Sequence, residues 1–154
     1  RLSLGVLSLA LLVALALQIV VLERDRIAAT EPDSRVPLGA LCEVVGCQIQ
    51  PLRQIDALVI DSSAFTKLQG DVYRLNFTLK STSGVPLAVP AVELTLTDMQ
   101  DRAVLRRVVQ AKVLSTSKTV LEPGSEMSVA LPLRVTTGAT EERISGYRLL
   151  AFYP

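Results

Sequence analysis

The side chains that most often carry chemistry are scarce in this chain of 154 residues. It has two cysteines, Cys42 and Cys47, and no histidine. Histidine is the commonest general base near neutral pH and the commonest metal ligand, so neither a Ser-His-Asp site nor a histidine-bound metal can be built from this sequence. Two cysteines alone do not complete a four-ligand zinc site. We therefore expect no enzyme activity, no cofactor and no small-molecule substrate.

The two cysteines lie in the segment LGALCEVVGCQIQPL, residues 38–52, where helical spacing of apolar residues predicts a short helix. In an unbroken helix their Cα atoms would be about 8.6 Å apart, too far for a disulfide. Gly46 can end the helix in a left-handed conformation, which lets Cys47 swing back toward Cys42. We predict a structural disulfide in an oxidising compartment. The alternative is a redox-active dithiol, although such pairs usually show Cys-x-x-Cys spacing at a helix N-terminus.

Charged side chains are the second group with binding potential. The chain has 16 Lys+Arg and 15 Asp+Glu, a formal net charge of +1, which argues against a nucleic-acid partner. Arg102, Arg106 and Arg107 form a basic cluster that could bind anionic headgroups or an acidic partner. The alternative, which we favour, is a solvated strand face. Asp98 and Asp101 are too few ligands for calcium, and Asp98 is expected to cap its own turn.

An apolar run at residues 2–22, LSLGVLSLALLVALALQIVVL, precedes these residues and determines on which side of a membrane they are expected to lie. Its 21 uncharged residues make a helix of about 31 Å, which matches a hydrocarbon core of about 30 Å. A cleaved signal peptide, with a weak site near Ala28 and Ala29, is the alternative, but its apolar region is usually shorter. Arg1 favours a cytoplasmic N-terminus, and we expect further residues before it. The pattern predicts a single-pass protein in contact with the lipid bilayer.

Small residues along this helix could let another helix approach. Ala10 and Ala14 form one small-xxx-small pair, and we expect Gly5 near the same face. Gln18 is available to hydrogen-bond a neighbouring helix, whereas the hydroxyl of Ser8 can bond back to its own helix. We predict a helix-packing face here, with a lipid-facing Leu/Ala helix as an alternative of equal weight.

The rest of the chain predicts a mainly β fold. Residues 1–26 form the transmembrane helix and its flank, and residues 27–37, with two prolines and many polar residues, are predicted to be a linker. Beyond residue 54 apolar and polar residues alternate with period two. We predict strands at residues 55–61, 72–80, 92–97, 103–110, 127–135 and 147–153. Pro132 places its strand at a sheet edge. Residues 38–154 are thus expected to form an extracytoplasmic, antiparallel immunoglobulin-like β-sandwich with a short leading helix.

Six segments carry a resemblance to a known family. They occur in the order LCEVVGC, PLRQIDAL, YRLNFTLKS, PAVELTLTDMQDRAVLRRVV, LEPGSEMSVALPL and GYRLLAFYP. Together they resemble the C-terminal domain of a bacterial family of unknown function, over roughly residues 38–154. The strand-and-turn portion is also similar, more weakly, to the FxLYD type of β-sandwich. The resemblance implies a single span in the bacterial inner membrane and a periplasmic C-terminal domain. It also implies an N-terminal zinc ribbon with two Cys-x-x-Cys pairs before residue 1.

Two functions are compatible with these expectations. The first is a non-catalytic accessory or assembly subunit of a larger membrane complex, whose partners are other membrane-protein subunits. The second is a transmembrane signalling or regulatory protein with a cytoplasmic zinc ribbon. An enzyme is disfavoured, and a thiol redox role would be its only basis.

Overall fold

A computed structural model describes residues 2–115, 118–135 and 144–154 of the chain, with side chains from residue 5 onward. The chain divides into two compact units, Arg1–Leu52 and Arg53–Pro154. The first unit is helical and begins with the apolar helix, and the second consists mainly of antiparallel strands. The predicted fold class, a mainly β chain with an N-terminal apolar helix, is therefore confirmed.

The first unit is more helical than the sequence predicts. Its elements are α1 (Leu2–Leu22), α2 (Arg24–Thr30), a 3-10 turn (Pro32–Ser34) and α3 (Arg35–Val45). Residues 27–37, expected to be a linker, are thus mostly helical. The two prolines explain the difference: Pro32 begins the 3-10 turn and Pro37 lies in the first turn of α3. At both places a backbone N–H has no intrahelical partner, so proline costs no hydrogen bond.

The second unit contains eight strands among its described residues. They are β1 (Leu58–Gln69), β2 (Val72–Ser81), β3 (Leu87–Ala88), β4 (Ala91–Thr97), β5 (Ala103–Val109), β6 (Val120–Leu121), β7 (Glu126–Arg134) and β8 (Gly146–Phe152). A 3-10 turn, Ile55–Ala57, precedes β1, so the strand predicted at residues 55–61 begins later and runs further. A four-residue helix, α4 (Ala111–Leu114), follows β5.

The strands pair in three antiparallel sheets of order β1-β2-β7, β5-β4-β8 and β3-β6. Among the described strands β7 pairs with β2 alone, so Pro132 lies on an edge strand as predicted. Both three-stranded sheets contribute to one hydrophobic core. Its buried members include Tyr73, Leu75, Phe77, Leu79, Val92, Leu94, Leu96 and Val129. The immunoglobulin-like arrangement of the sheets stays a prediction.

Strands β4 and β8 come unusually close at one pair of residues. Gly146 lies opposite Thr97, whose side chain is buried. A Cβ atom added at Gly146 would lie 2.7 Å from Thr97 Oγ1, closer than side-chain carbons normally approach another atom. Glycine is therefore required here so that β8 can pair with β4 in this register.

We predict that Gly146→Ala lowers the free energy of unfolding by roughly 1–3 kcal/mol, because the added methyl group overpacks the β4–β8 pair. Adding Thr97→Ala removes the clashing atom, so the double variant should lose less than the sum of the two single losses. Gly84→Ala is the matched control, since nothing lies within 4 Å of its added Cβ. Urea titration of the full chain in mild detergent measures the stability of Gly146→Ala, Thr97→Ala, the double variant and Gly84→Ala. Equal stability of the Gly146→Ala and Gly84→Ala variants would contradict the packing account.

Candidate functional site

Helix α1 is mostly exposed, and of its described side chains only Val20 and Val21 near its end are half-buried. None of the residues Gly5–Leu22 is buried, and their mean hydropathy is 2.7. By length and composition the helix can cross a membrane. The Ser8 hydroxyl donates to the carbonyl oxygen of Gly5 at 2.9 Å, so this polar group is satisfied within the helix as predicted.

The predicted helix-packing face needs one correction. Ala10, Ala14 and Gln18 follow one another at four-residue spacing and share one side of α1. Gly5 precedes Ala14 by nine residues, which at 3.6 residues per turn places it on about the opposite side. The expectation that Gly5 lies near the same face was therefore wrong. The face retains Ala10, Ala14 and Gln18.

A groove separates the end of α1 from the end of α3. It has a volume of about 610 Å³. Its lining residues are Leu17, Gln18, Val21 and Leu22 of α1 and Leu41, Val44 and Val45 of α3. Gln18 is the one polar residue among them. The side of α1 that carries Ala10 and Ala14 therefore continues into this apolar groove.

Polar contacts join the C-terminal end of α1 and the start of α2 to the segment that follows α3. The Arg24 guanidinium donates to the carbonyl oxygen of Val21 at 2.8 Å and to that of Gln48 at 2.9 Å. The carboxylate of Asp25 accepts the backbone N–H of Gln50 at 2.8 Å. The Val21 carbonyl belongs to the last turn of α1, where carbonyl groups lack an intrahelical donor. Arg24 thus caps α1 and ties it to the segment that follows α3.

The cysteines lie at the end of α3. Cys42 and Cys47 are joined by a disulfide, with their Cα atoms 4.5 Å apart. Gly46 has a φ of 75°, and the backbone N–H groups of Gly46 and Cys47 both donate to the Cys42 carbonyl oxygen, at 2.8 and 2.9 Å. The left-handed turn at Gly46 therefore brings Cys47 back to Cys42, as the sequence predicts.

The three arginines predicted as a cluster do not share one surface. Arg106 and Arg107 are consecutive on β5, so their side chains leave opposite faces of the sheet. Arg107 lies opposite Leu94, a core residue, and so belongs to the inward side of the edge strand β5. Arg102 lies in the β4–β5 turn. The predicted binding role of these arginines stays a prediction, without a common patch to support it.

The pairing of β4 with β5 and β8 instead places Arg106 beside residues that the sequence did not single out. The outward side of the sheet β5-β4-β8 carries Arg106, Thr95 and Arg148 in one cross-strand row and Val108, Glu93 and Leu150 in the next. Val108 and Leu150 are 47% and 60% exposed. Arg106 contacts Glu93 at 3.3 Å, and Arg148 contacts Asp101. We name Arg106, Arg148, Val108 and Leu150 the arginine face.

Asp98 caps the β4–β5 turn, as predicted. Its carboxylate accepts the backbone N–H groups of Gln100 and Arg102, each at 2.9 Å, and the Arg102 guanidinium donates to it at 3.0 Å. The N–H of Arg102, above all, lowers the pKa of the Asp98 carboxyl below its ordinary value of 3.8. Because the folded pKa is depressed, this carboxylate stabilises the fold above pH 3.8, and the contribution is lost as the pH falls through the folded pKa.

Metal binding finds no support at this turn. Within residues 2–115, 118–135 and 144–154 there is no group of three or more acidic, cysteine or histidine side chains placed to hold a metal ion.

Comparison with known proteins identifies one family. Residues 55–151 match a family described as "Protein of unknown function (DUF3426)". No curated protein matches the chain. One solved structure, the alkylpurine DNA glycosylase AlkC of Pseudomonas fluorescens bound to DNA containing an abasic site analog, is similar with a TM-score of 0.43 and 16% identity. The similarity covers 77% of this chain and 34% of that one, so the chain spans about a third of that protein. A likeness of this degree supports no conclusion about function.

We predict that Cys42→Ser/Cys47→Ser destabilises the first unit by about 2 kcal/mol, because the disulfide restricts the unfolded chain across a short loop. The measurement is thermal unfolding of the full chain in mild detergent, followed by helical circular dichroism. Wild-type protein reduced with dithiothreitol is the control and should lose the same amount. Equal stability of the reduced and oxidised chains would contradict the structural role of the disulfide.

Proposed function

The chain belongs to the DUF3426 family of proteins of unknown function, and we propose that it is a non-catalytic accessory or assembly subunit of a larger membrane complex. In this proposal α1 crosses the bacterial inner membrane once, and the unit Arg53–Pro154 binds other membrane-protein subunits on the periplasmic side. The membrane span is supported by the length and hydropathy of α1 and by the lack of burial along Gly5–Leu22.

The observation that carries the binding role is the composition of the arginine face. Val108 and Leu150 expose aliphatic groups on the same side of the sheet as two guanidinium groups. Charged side chains alone would indicate a solvated surface, and aliphatic side chains alone would favour aggregation. Arginine is instead enriched at protein–protein interfaces and among the residues that contribute most to binding, and the centres of such interfaces are more apolar than their rims.

The electrostatics of this face specify the partner's chemistry. The side chains of Arg106 and Arg148 are 64% and 62% exposed although each already contacts a carboxylate of this chain. A guanidinium has five N–H donors, so donors remain for a second acceptor. The partner surface that fits is therefore a carboxylate-bearing segment with apolar side chains on either side of the acidic groups.

We predict that Arg106→Ala and Leu150→Ala each weaken partner binding about tenfold, a loss of about 1.4 kcal/mol. The measurement is recovery of a membrane protein with the tagged full chain in mild detergent, followed by titration of the recovered protein. Arg107→Ala is the matched control, because it removes the same side chain from the next position on the opposite side of β5.

Two results would contradict this prediction. The first is a wild-type chain that always elutes without another membrane protein. The second is equal loss of binding in the Arg106→Ala and Arg107→Ala variants, since this would show that the side of the sheet does not matter.

The sequence resemblance supports a second candidate, a signalling or regulatory protein with a cytoplasmic zinc ribbon. That ribbon would carry two Cys-x-x-Cys pairs ahead of Arg1. Reading the gene upstream of Arg1 tests it directly. An upstream sequence without these pairs would remove this candidate and leave the accessory subunit.

A further inference from the structure

Helix α3 has an apolar side that the first unit leaves uncovered. Leu38 and Cys42 are buried, whereas Val36 and Val44 are 81% and 86% exposed. Val36 and Val44 are eight residues apart, with the exposed Ala40 midway, so the three line one side of the helix. A soluble helix normally turns polar side chains outward on its exposed side. On α3 this exposed side carries three aliphatic residues, with Glu43 at its margin.

The exposed apolar side of α3 continues into the apolar surface of α1. Val44 and Val45 line the same groove as Leu17 and Leu22. From Leu17 to Leu22 the helix rises about 7.5 Å. The end of α3 therefore lies level with the last turn and a half of α1.

The length of α1 determines whether lipid surrounds its last turns and the end of α3 beside them. Its 21 residues, about 31 Å of helix, just fill a hydrocarbon core of about 30 Å, so the last residues cannot leave the lipid. The side chains of α3 that line the groove lie level with the last residues of α1, so they are also at the depth of the acyl chains. A helix in the interface plane places its apolar side about 5–10 Å into the headgroup and acyl boundary, which agrees with the depth of the groove.

Covalent and polar contacts fix α3 at this position. The disulfide between Cys42 and Cys47 closes the end of α3, and Arg24 holds the Gln48 carbonyl beside the exit of α1. The disulfide thus links α3 to the segment that Arg24 holds near the end of α1.

The net charge of the segment around α3 indicates whether α3 contacts acyl chains or anionic headgroups. Residues 23–45 contain three arginines and five carboxylates, so the segment carries net negative charge and would be repelled by an anionic surface. Attraction must therefore come from apolar burial.

We propose that α3 is a membrane-interface helix, with its Val36–Val44 side in the lipid and acyl chains filling the groove beside α1. The proposal rests on α1 crossing the membrane, as in the proposed function. It predicts that α3 contacts phosphatidylcholine without any need for anionic lipid.

The absence of tryptophan from the sequence allows a clean test with single-tryptophan variants of the full chain. Val44→Trp reports the apolar side of α3, Arg35→Trp an exposed polar position nine residues away on the opposite side of that helix, and Leu12→Trp the middle of α1. Each variant is reconstituted at low protein-to-lipid ratio into phosphatidylcholine vesicles, with and without phosphatidylcholine brominated on its acyl chains. Thiol titration first confirms that each variant keeps its disulfide.

We expect brominated lipid to quench the Val44→Trp and Leu12→Trp variants several-fold more strongly than Arg35→Trp, with no further gain on adding anionic lipid. Quenching of Leu12→Trp but not Val44→Trp would overturn the interface helix and leave the span intact. Val44→Trp with blue-shifted emission but no quenching would also overturn it, because protein would then cover the groove. An unquenched Leu12→Trp would contradict the span itself.

Discussion

The apolar helix of 21 residues has no buried side chain from Gly5 to Leu22, so the described residues do not supply its apolar surroundings. Apolar surface left in water costs about 25 cal/mol per Å², a penalty that a bilayer removes over the whole helix. Its backbone polar groups are bonded within the helix, except at the ends, as the lipid interior requires. The contacts at the end of α1 agree with that constraint, because Arg24 satisfies the Val21 carbonyl where the apolar run ends.

The second unit meets a different constraint, since its strands must bury one side and leave the other in contact with water or a partner. Arg106 and Arg107 illustrate the difference. Arg106 lies on the outward side beside exposed aliphatic groups, whereas Arg107 is an inward-side charge on the edge strand β5. Such charges discourage an edge strand from pairing with another chain. Among the described strands this disfavours pairing of another chain at the β5 edge, which is consistent with the proposed use of the outward face.

Features set by local sequence could be predicted, and features set by long-range register could not. The alternation in YRLNFTLKS defines β2, and Gly46 places the turn that closes the disulfide, because both depend on neighbouring residues. The prolines at 32 and 37 are typical of a linker, but proline is equally acceptable at a helix start, and the sequence alone does not separate the two. The arginine face joins β5 to β8 through β4, and no local pattern specifies which residues of β8 lie opposite Thr95.

The proposed roles of the arginine face and of the exposed apolar side of α3 both depend on the claim that α1 anchors the chain in a membrane. The mass of the mature chain recovered from carbonate-washed bacterial membranes tests it directly. The account predicts that the chain stays in the membrane fraction and retains residues 2–22. A mature chain that begins near Ala28 or Ala29 and is released into the soluble periplasmic fraction would contradict it, because α1 would then be a signal peptide.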